Sequence, residues 1–117
     1  MSRLWRATIN SWNGLRFAAR SEQAIRQELW ALLIGIPLAF LIGVTAARRV
    51  ELIAVLLLVL AVELLNTAIE KLSDRLTRDH DPEIGRVKDM GSAAVGAAML
   101  IAGLFWLFAT CERIGIF

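Results

Sequence analysis

A single cysteine, a single histidine and two prolines in 117 residues close off several possibilities at once. Cys111 has no second thiol, so the chain can form neither an internal disulfide nor a cysteine-based metal centre, and it reads as a small apolar filler. His80 alone builds no histidine-rich zinc site. A net charge of +2 is too weak to argue for a nucleic-acid partner. No internal repeat, no low-complexity stretch and no strand-like alternation of useful length is present. Also missing are the Gly-x-x-x-x-Gly-Lys phosphate loop, the kinase glycine-rich loop and the Gly-x-Ser-x-Gly elbow, so any nucleotide site must be of another design.

What is abundant is apolar surface. The chain is 57% hydrophobic, against about 45–50% in an ordinary soluble domain. So short a chain makes one domain and buries only about two-thirds of its surface. This leaves little room for a water-soluble monomer and none for a disordered chain. The 13 Lys+Arg and 11 Asp+Glu are nevertheless too many for a plain bundle of spans, so where they gather is informative.

Three stretches are long enough to cross a bilayer, whose core of about 30 Å needs roughly 20 helical residues. Leu29–Ala47 is uncharged and contains Pro37, which is tolerated in a span when neighbours satisfy the freed carbonyl. Leu52–Ile69 is interrupted by one charge, Glu63, and Met90–Cys111 is uncharged. Arg48, Arg49, Val50 and Glu51 between the first two predict a tight turn and an antiparallel hairpin. The expected organisation is a single membrane domain: residues 1–28 a surface helix and connection, spans over 29–47, 52–69 and 90–111, and a cytoplasmic loop over 70–89. The second span continues as a helix into the cytoplasm. Thr77–Gly85, with Pro82 and Gly85, is read as the break between helices.

The basic residues set the orientation. Arg3, Arg6, Arg16, Arg20, Arg26, Lys71, Arg75, Arg78, Arg86 and Lys88 share one side, and Arg48, Arg49 and Arg113 the other. The positive-inside rule then places the N-terminus and the 70–89 loop in the cytoplasm and the C-terminus outside. The N-terminus lacks the layout of a cleavable signal, because its apolar run begins only at Leu29. Residues 4–20 instead form an amphipathic pattern. Leu4, Thr8, Trp12, Leu15 and Ala19 fall within about 80° of one another, opposite Arg3, Arg6, Asn10 and Asn13, as in a helix lying in the headgroup plane. On periodicity alone such a helix is a simple anchor.

Charge inside a span is expensive and points to function. Glu63, Asn66, Glu70 and Asp74 lie within about 80° of arc on one helix, a line about 16 Å long that descends towards the cytoplasm, with Thr67 beside it. One such carboxylate could be a pairing residue. Three with an amide are harder to read as packing, because each like charge raises the cost of its neighbours. Lys88 and Arg75 stand near the line, Glu22 and Glu28 can reach the same level, and a hard divalent cation suits clustered carboxylates best. Magnesium is usually held by one or two carboxylates plus substrate phosphates. A deeper, partly desolvated carboxylate could take a proton from a lipid hydroxyl, and phosphoryl transfer otherwise needs positioning, metal charge and a lysine on the phosphates.

The stretch Glu63-Leu-Leu-Asn-Thr-Ala-Ile-Glu70, then Asp74-Arg75, then Gly85-Arg-Val-Lys88-Asp89-Met-Gly-Ser-Ala-Ala-Val95 closely resembles the signature of the small bacterial integral-membrane diacylglycerol kinases. Ser11-Trp12-Asn-Gly14-Leu15 and Glu22-Gln-Ala-Ile-Arg26-Gln27-Glu28 are similar to that family's N-terminal motif, so the resemblance covers nearly the whole chain. It implies an all-α membrane protein in the bacterial inner membrane, a homotrimer of subunits with one surface helix and three transmembrane helices, and active sites shared between subunits at the cytoplasmic face. The implied reaction moves the γ-phosphate of ATP, with Mg²⁺, to the hydroxyl of 1,2-diacylglycerol and yields phosphatidic acid. By that resemblance Glu63 is the general base, Glu22 and Glu70 bind the metal, and Asn66 and Asp74 support the site. Arg3, Asn10, Glu22, Glu70, Asp79, His80, Asp81, Lys88 and Asp89 fall at ATP-binding positions. Arg3, Ser11, Trp12, Arg26, Glu28, Glu63 and Ser92 fall at lipid-binding positions.

Asp79-His80-Asp81-Pro82 departs from the family pattern, where an aromatic or His is often followed by His. Glu70-Lys71-Leu-Ser is closer to the branch that phosphorylates undecaprenol, whereas Arg26-Gln27-Glu28 and Met90-Gly91-Ser92 lean towards diacylglycerol. In the third span Gly91, Ser92, Ala93, Ala94, Gly96, Ala97 and Ala98 are a small-residue run that lets backbones approach closely, between subunits or within one. Two readings from other classes are a small multidrug transporter, which normally needs four spans and carboxylates nearer mid-membrane, and a purely structural membrane subunit, against which the carboxylate line speaks.

Overall fold

The computed structural model describes residues 2–77 and 79–117. Arg78, counted above among the cytoplasmic basic residues, lies outside them. Among the described residues there are four helices and no strand: α1 (Arg3–Ser21), α2 (Gln23–Ile42), α3 (Ala46–Leu76) and α4 (Pro82–Arg113). The last three are long and apolar enough to cross a membrane. At 1.5 Å per residue, α3 with its 31 residues runs about 46 Å and so outreaches the apolar core of a bilayer.

Local chemistry explains the helix ends. Ser2 caps α1 by accepting the Trp5 N–H at 3.1 Å, and Thr45 caps α3 by accepting the Arg48 N–H at 3.1 Å. The hairpin turn therefore falls at Gly43–Thr45, earlier than the Arg48–Glu51 turn expected from charge, and those residues lie in the opening turns of α3. They are tolerated there because each arginine is satisfied. Arg48 bonds Glu51 at 2.6 Å and Glu112 at 3.0 Å, and Arg49 donates to the Gly43 carbonyl at 3.0 Å. Arg113 donates across to the Leu41 carbonyl at 3.0 Å, so two arginines cover the open end of α2.

The lower break is also shorter than expected. Asp81 Oδ1 accepts the Glu83 and Ile84 N–H groups at 2.9 and 3.3 Å, and Pro82, whose missing N–H costs nothing at a first helical position, starts α4. Gly85 consequently lies inside α4, and only Thr77–Asp81 separates α3 from α4.

α3 is the central helix: 39% of its apolar window is buried, against 17% in α2 and in α4. Ala39, Leu52 and Ala109 pack at the turn end, where Trp106 donates its indole N–H to the Leu52 carbonyl at 3.2 Å. Val55, Val59, Ala98 and Ala102 continue the α3–α4 seam. Ala18, Ile25 and Leu60 join α1, α2 and α3 at the opposite end. The small-residue run of α4 thus divides. Gly91 and Ala98, followed by Ala102 and Ala109, face α3, while Ser92, Ala93, Ala94, Gly96 and Ala97 are exposed. On α1 the expected apolar face divides likewise: Leu15 and Ala19 touch the bundle, and Leu4 and Trp12 remain 80% and 62% exposed.

Candidate active site

The acidic line is present on α3, and its surroundings grade from enclosed to open. Glu63 and Thr67 are buried by this chain itself, each 8% exposed, so the deep end of the line is enclosed within one subunit. Glu70 and Asp74, one and two turns further on, are exposed. Glu28, on α2, and Glu70, on α3, each bear a like charge that opposes the charge on Glu63. Three carboxylates from two helices therefore share one electrostatic environment, which favours whatever cation enters it.

Asn66 organises the middle of the line. Its Nδ2 donates to Glu70 Oε1 at 3.3 Å. Its Oδ1 is buried with no hydrogen-bond donor among the described residues, an arrangement that ordinarily costs about 1–3 kcal/mol. That oxygen lies against Gly91 of α4, where any side chain would collide with it. Lys88, three residues beyond the glycine towards the start of α4, bonds Asp74 at 2.6 Å and ties the lower ends of α3 and α4 together.

Below this pair is a polar hollow of about 380 Å³ lined by Asp74, Thr77, Asp79, His80, Asp81, Ile84, Gly85 and Lys88. The loop residues assigned to the nucleotide and the lysine assigned to its phosphates thus line one cavity. Asp89 and Ser92 are exposed on α4.

The N-terminal residues divide into those that build the scaffold and those that remain open. Arg26 donates from one guanidinium nitrogen to the Ala19 and Arg20 carbonyls at 3.0 and 3.1 Å, closing the end of α1, which is a structural task alongside the lipid contact expected of it. Glu22 pairs with Lys71 at 2.8 Å, and the same ammonium lies 5.3 Å from the Phe17 ring centre. Ser11 lines a hollow of about 390 Å³ with Gly14, Leu15, Phe17, Thr67 and Lys71, between α1 and α3. Arg3, Asn10 and Trp12 are exposed along α1.

Sequence reasoning missed two participants. Lys71 enters the sequence reading as a cytoplasmic cation and within Glu70-Lys71-Leu-Ser, and neither place holds a hint of Glu22. Gly91 stands in the sequence reading within the signature and the small-residue run but with no role of its own, although a glycine beside the Lys88-Asp89 motif is the available signal.

Among the described residues no three of His, Cys, Asp and Glu gather to hold a metal within the single chain. The carboxylates present suit a hard ion that takes the rest of its ligands from phosphate oxygens. Three membrane-length helices with a carboxylate line running into a polar, lysine-bearing hollow suit a membrane enzyme that handles a charged substrate. The family model for prokaryotic diacylglycerol kinase matches residues 9–110. The chain is 41% identical over 114 residues to the diacylglycerol kinase of Escherichia coli K12, covering 97% of this chain and 93% of that one. It is 42% identical over 106 residues to the diacylglycerol kinase of Pseudomonas aeruginosa, covering 91% and 86%. With the Haemophilus influenzae diacylglycerol kinase it shares 40% over 106 residues, covering 91% and 90%. The chain belongs to the prokaryotic diacylglycerol kinase family.

Proposed function

We propose that this protein is a diacylglycerol kinase that transfers the γ-phosphate of ATP to the hydroxyl of 1,2-diacylglycerol, giving phosphatidic acid. The observation that carries the chemistry is the continuity from buried Glu63, through Asn66 and Glu70, to the Asp74–Lys88 pair and the polar hollow. A lipid hydroxyl reaches a base from the membrane side and ATP reaches a lysine from the water side.

Glu63 accepts the hydroxyl proton as the lipid oxygen bonds the γ-phosphorus and the bond to the ADP oxygen breaks. Lys88 and Asp89, with Asp79, His80, Asp81, Asn10 and Arg3, hold the nucleotide. Glu70, exposed and oriented by Asn66, and Glu22 would hold Mg²⁺, which when bound supplies positive charge against the phosphates. Ser11, Trp12, Arg26, Glu28 and Ser92 line the path of the lipid, and Asp74 supports the site through Lys88.

The exposed Arg3, Asn10, Trp12 and Ser92, and the exposed face of α4 at Ser92 and Gly96, fit completion of the site by a neighbouring subunit in a homotrimer. The cytoplasmic face of the inner membrane supplies both ATP and lipid, in the orientation set by the basic residues. Undecaprenol is the alternative acceptor, suggested by Glu70-Lys71-Leu-Ser. Relatives at 40–42% identity named diacylglycerol kinase favour the glycerolipid. The test is transfer from labelled ATP by the purified protein in mixed micelles with magnesium, with diacylglycerol and undecaprenol offered separately. Faster labelling of diacylglycerol is expected; preference for undecaprenol would change the acceptor, and labelling of neither would overturn the kinase reading.

A further inference from the structure

We infer that Gly91 is a positioning residue for phosphoryl transfer, through the contact between its bare backbone and the side-chain amide of Asn66. The inference rests on the kinase reading above.

Gly91 is buried at the crossing of α4 over the acidic line. The space a side chain would take is filled by Asn66 Oδ1, with the rest of the amide behind it. The amide is thereby wedged between two helices. Its oxygen is turned into the α4 backbone with no hydrogen-bond donor, and its nitrogen is turned outward onto Glu70 Oε1 at 3.3 Å. A buried acceptor left unpaired is an unfavourable choice unless the orientation it enforces is useful. Here it turns the amide's NH2 group, the side that can donate, towards the carboxylate assigned to the metal.

Gly91 also differs from the other glycines of α4, since nothing lies within contact of a side chain built at Gly85, Gly96 or Gly103. Helix stability does not explain a glycine at this place, because alanine is the better helix former. An added methyl group would push the amide off its rotamer and away from Glu70, while leaving Glu63, Glu70, Asp74 and Lys88 themselves unaltered.

The experiment measures kcat, the KM for diacylglycerol and the magnesium dependence of Gly91→Ala, Asn66→Ala and the double variant, with Gly103→Ala as control and trimer content checked for each. Gly91→Ala is expected to lower kcat about 10- to 100-fold and to raise the magnesium requirement, as for other groups that orient a metal ligand. The KM for the lipid should stay near the wild-type value, and Gly103→Ala should behave as wild type. In the Asn66→Ala background the glycine substitution should change kcat by no more than about threefold, because the two act as one unit. The second readout is the Asn66 side-chain amide resonance in ¹⁵N spectra of the micellar protein, which should move in Gly91→Ala and not in Gly103→Ala. Wild-type turnover in Gly91→Ala, multiplying losses in the double variant, or an unmoved amide resonance would each overturn the inference. An inactive wild-type protein would overturn the kinase reading instead, and the resonance would still report on the wedge.

Discussion

Ile25→Ala tests whether α1 must be held against α3 for catalysis. Ile25 is 0% exposed and sits between Ala18 of α1 and Leu60 of α3, ringed by Leu15, Ala19, Leu29, Leu32 and Leu64. The substitution deletes an ethyl and a methyl group. At about 0.8 kcal/mol for each lost carbon the transfer loss alone is about 2.4 kcal/mol, and the residual cavity brings isoleucine-to-alanine changes to about 2–5 kcal/mol. The polar contacts that would still hold α1 against α3 are small. The Glu22–Lys71 pair is 34% and 43% exposed and is worth at most about 1 kcal/mol. Lys71 over Phe17 at 5.3 Å adds about 0.5–1 kcal/mol. The loss therefore equals or exceeds what Lys71 contributes; Arg26 still ties the Ala19 and Arg20 carbonyls to α2, but the rest of α1, with Arg3, Asn10, Ser11 and Trp12, should leave the bundle for much of the time. The control is Leu52→Ala, also 0% exposed but packed between Ala39 and Ala109 at the far end of α3. Lipid tails are as apolar as leucine, so this change forfeits packing rather than hydrophobic transfer and should cost less. Turnover in mixed micelles and tryptic cleavage at Arg16 and Arg20 are the paired assays. Ile25→Ala should lose activity and gain cleavage, while Leu52→Ala keeps wild-type turnover. If Ile25→Ala kept both wild-type turnover and protection, or if Leu52→Ala lost as much activity, docking of α1 would not be what the Ile25 cluster supplies.

Glu63→Gln removes the proposed base, so turnover should fall about 10²- to 10⁴-fold; it also removes a charge that Glu28 and Glu70 oppose, so the unfolding midpoint should not fall. A variant with normal turnover would remove Glu63 from the role of base. Asp81→Ala deprives the Glu83 and Ile84 N–H groups of their acceptor and should cost about 1 kcal/mol; in a denaturant titration this appears as a lower midpoint, accompanied by a higher KM for ATP. Chelation of divalent ions should abolish phosphate transfer without changing the far-ultraviolet circular dichroism, and added Mg²⁺ should restore it. Turnover that survives chelation would exclude the metal role given to Glu22 and Glu70.

What could be read from the sequence was whatever local order determines. A membrane span is a run of consecutive residues, so the count of three follows from hydropathy without knowledge of any neighbour. The alignment of Glu63, Asn66, Glu70 and Asp74 follows from the pitch of a single helix, and the motif spacing from the chain alone. Even so, charge and hydropathy misplaced the helix ends. They register where water begins, whereas the ends are set by the caps at Thr45 and Asp81. The tertiary structure decided everything that depends on two distant segments meeting: Glu22 with Lys71, Arg26 on the end of α1, Lys88 with Asp74, and the division of the α4 small residues into two faces. Gly91 shows why. Along the chain only its place beside the Lys88-Asp89 motif distinguishes it from Gly96, and that says nothing of what it touches. Only the crossing of α4 over Asn66, twenty-five residues earlier in sequence, makes the missing side chain matter.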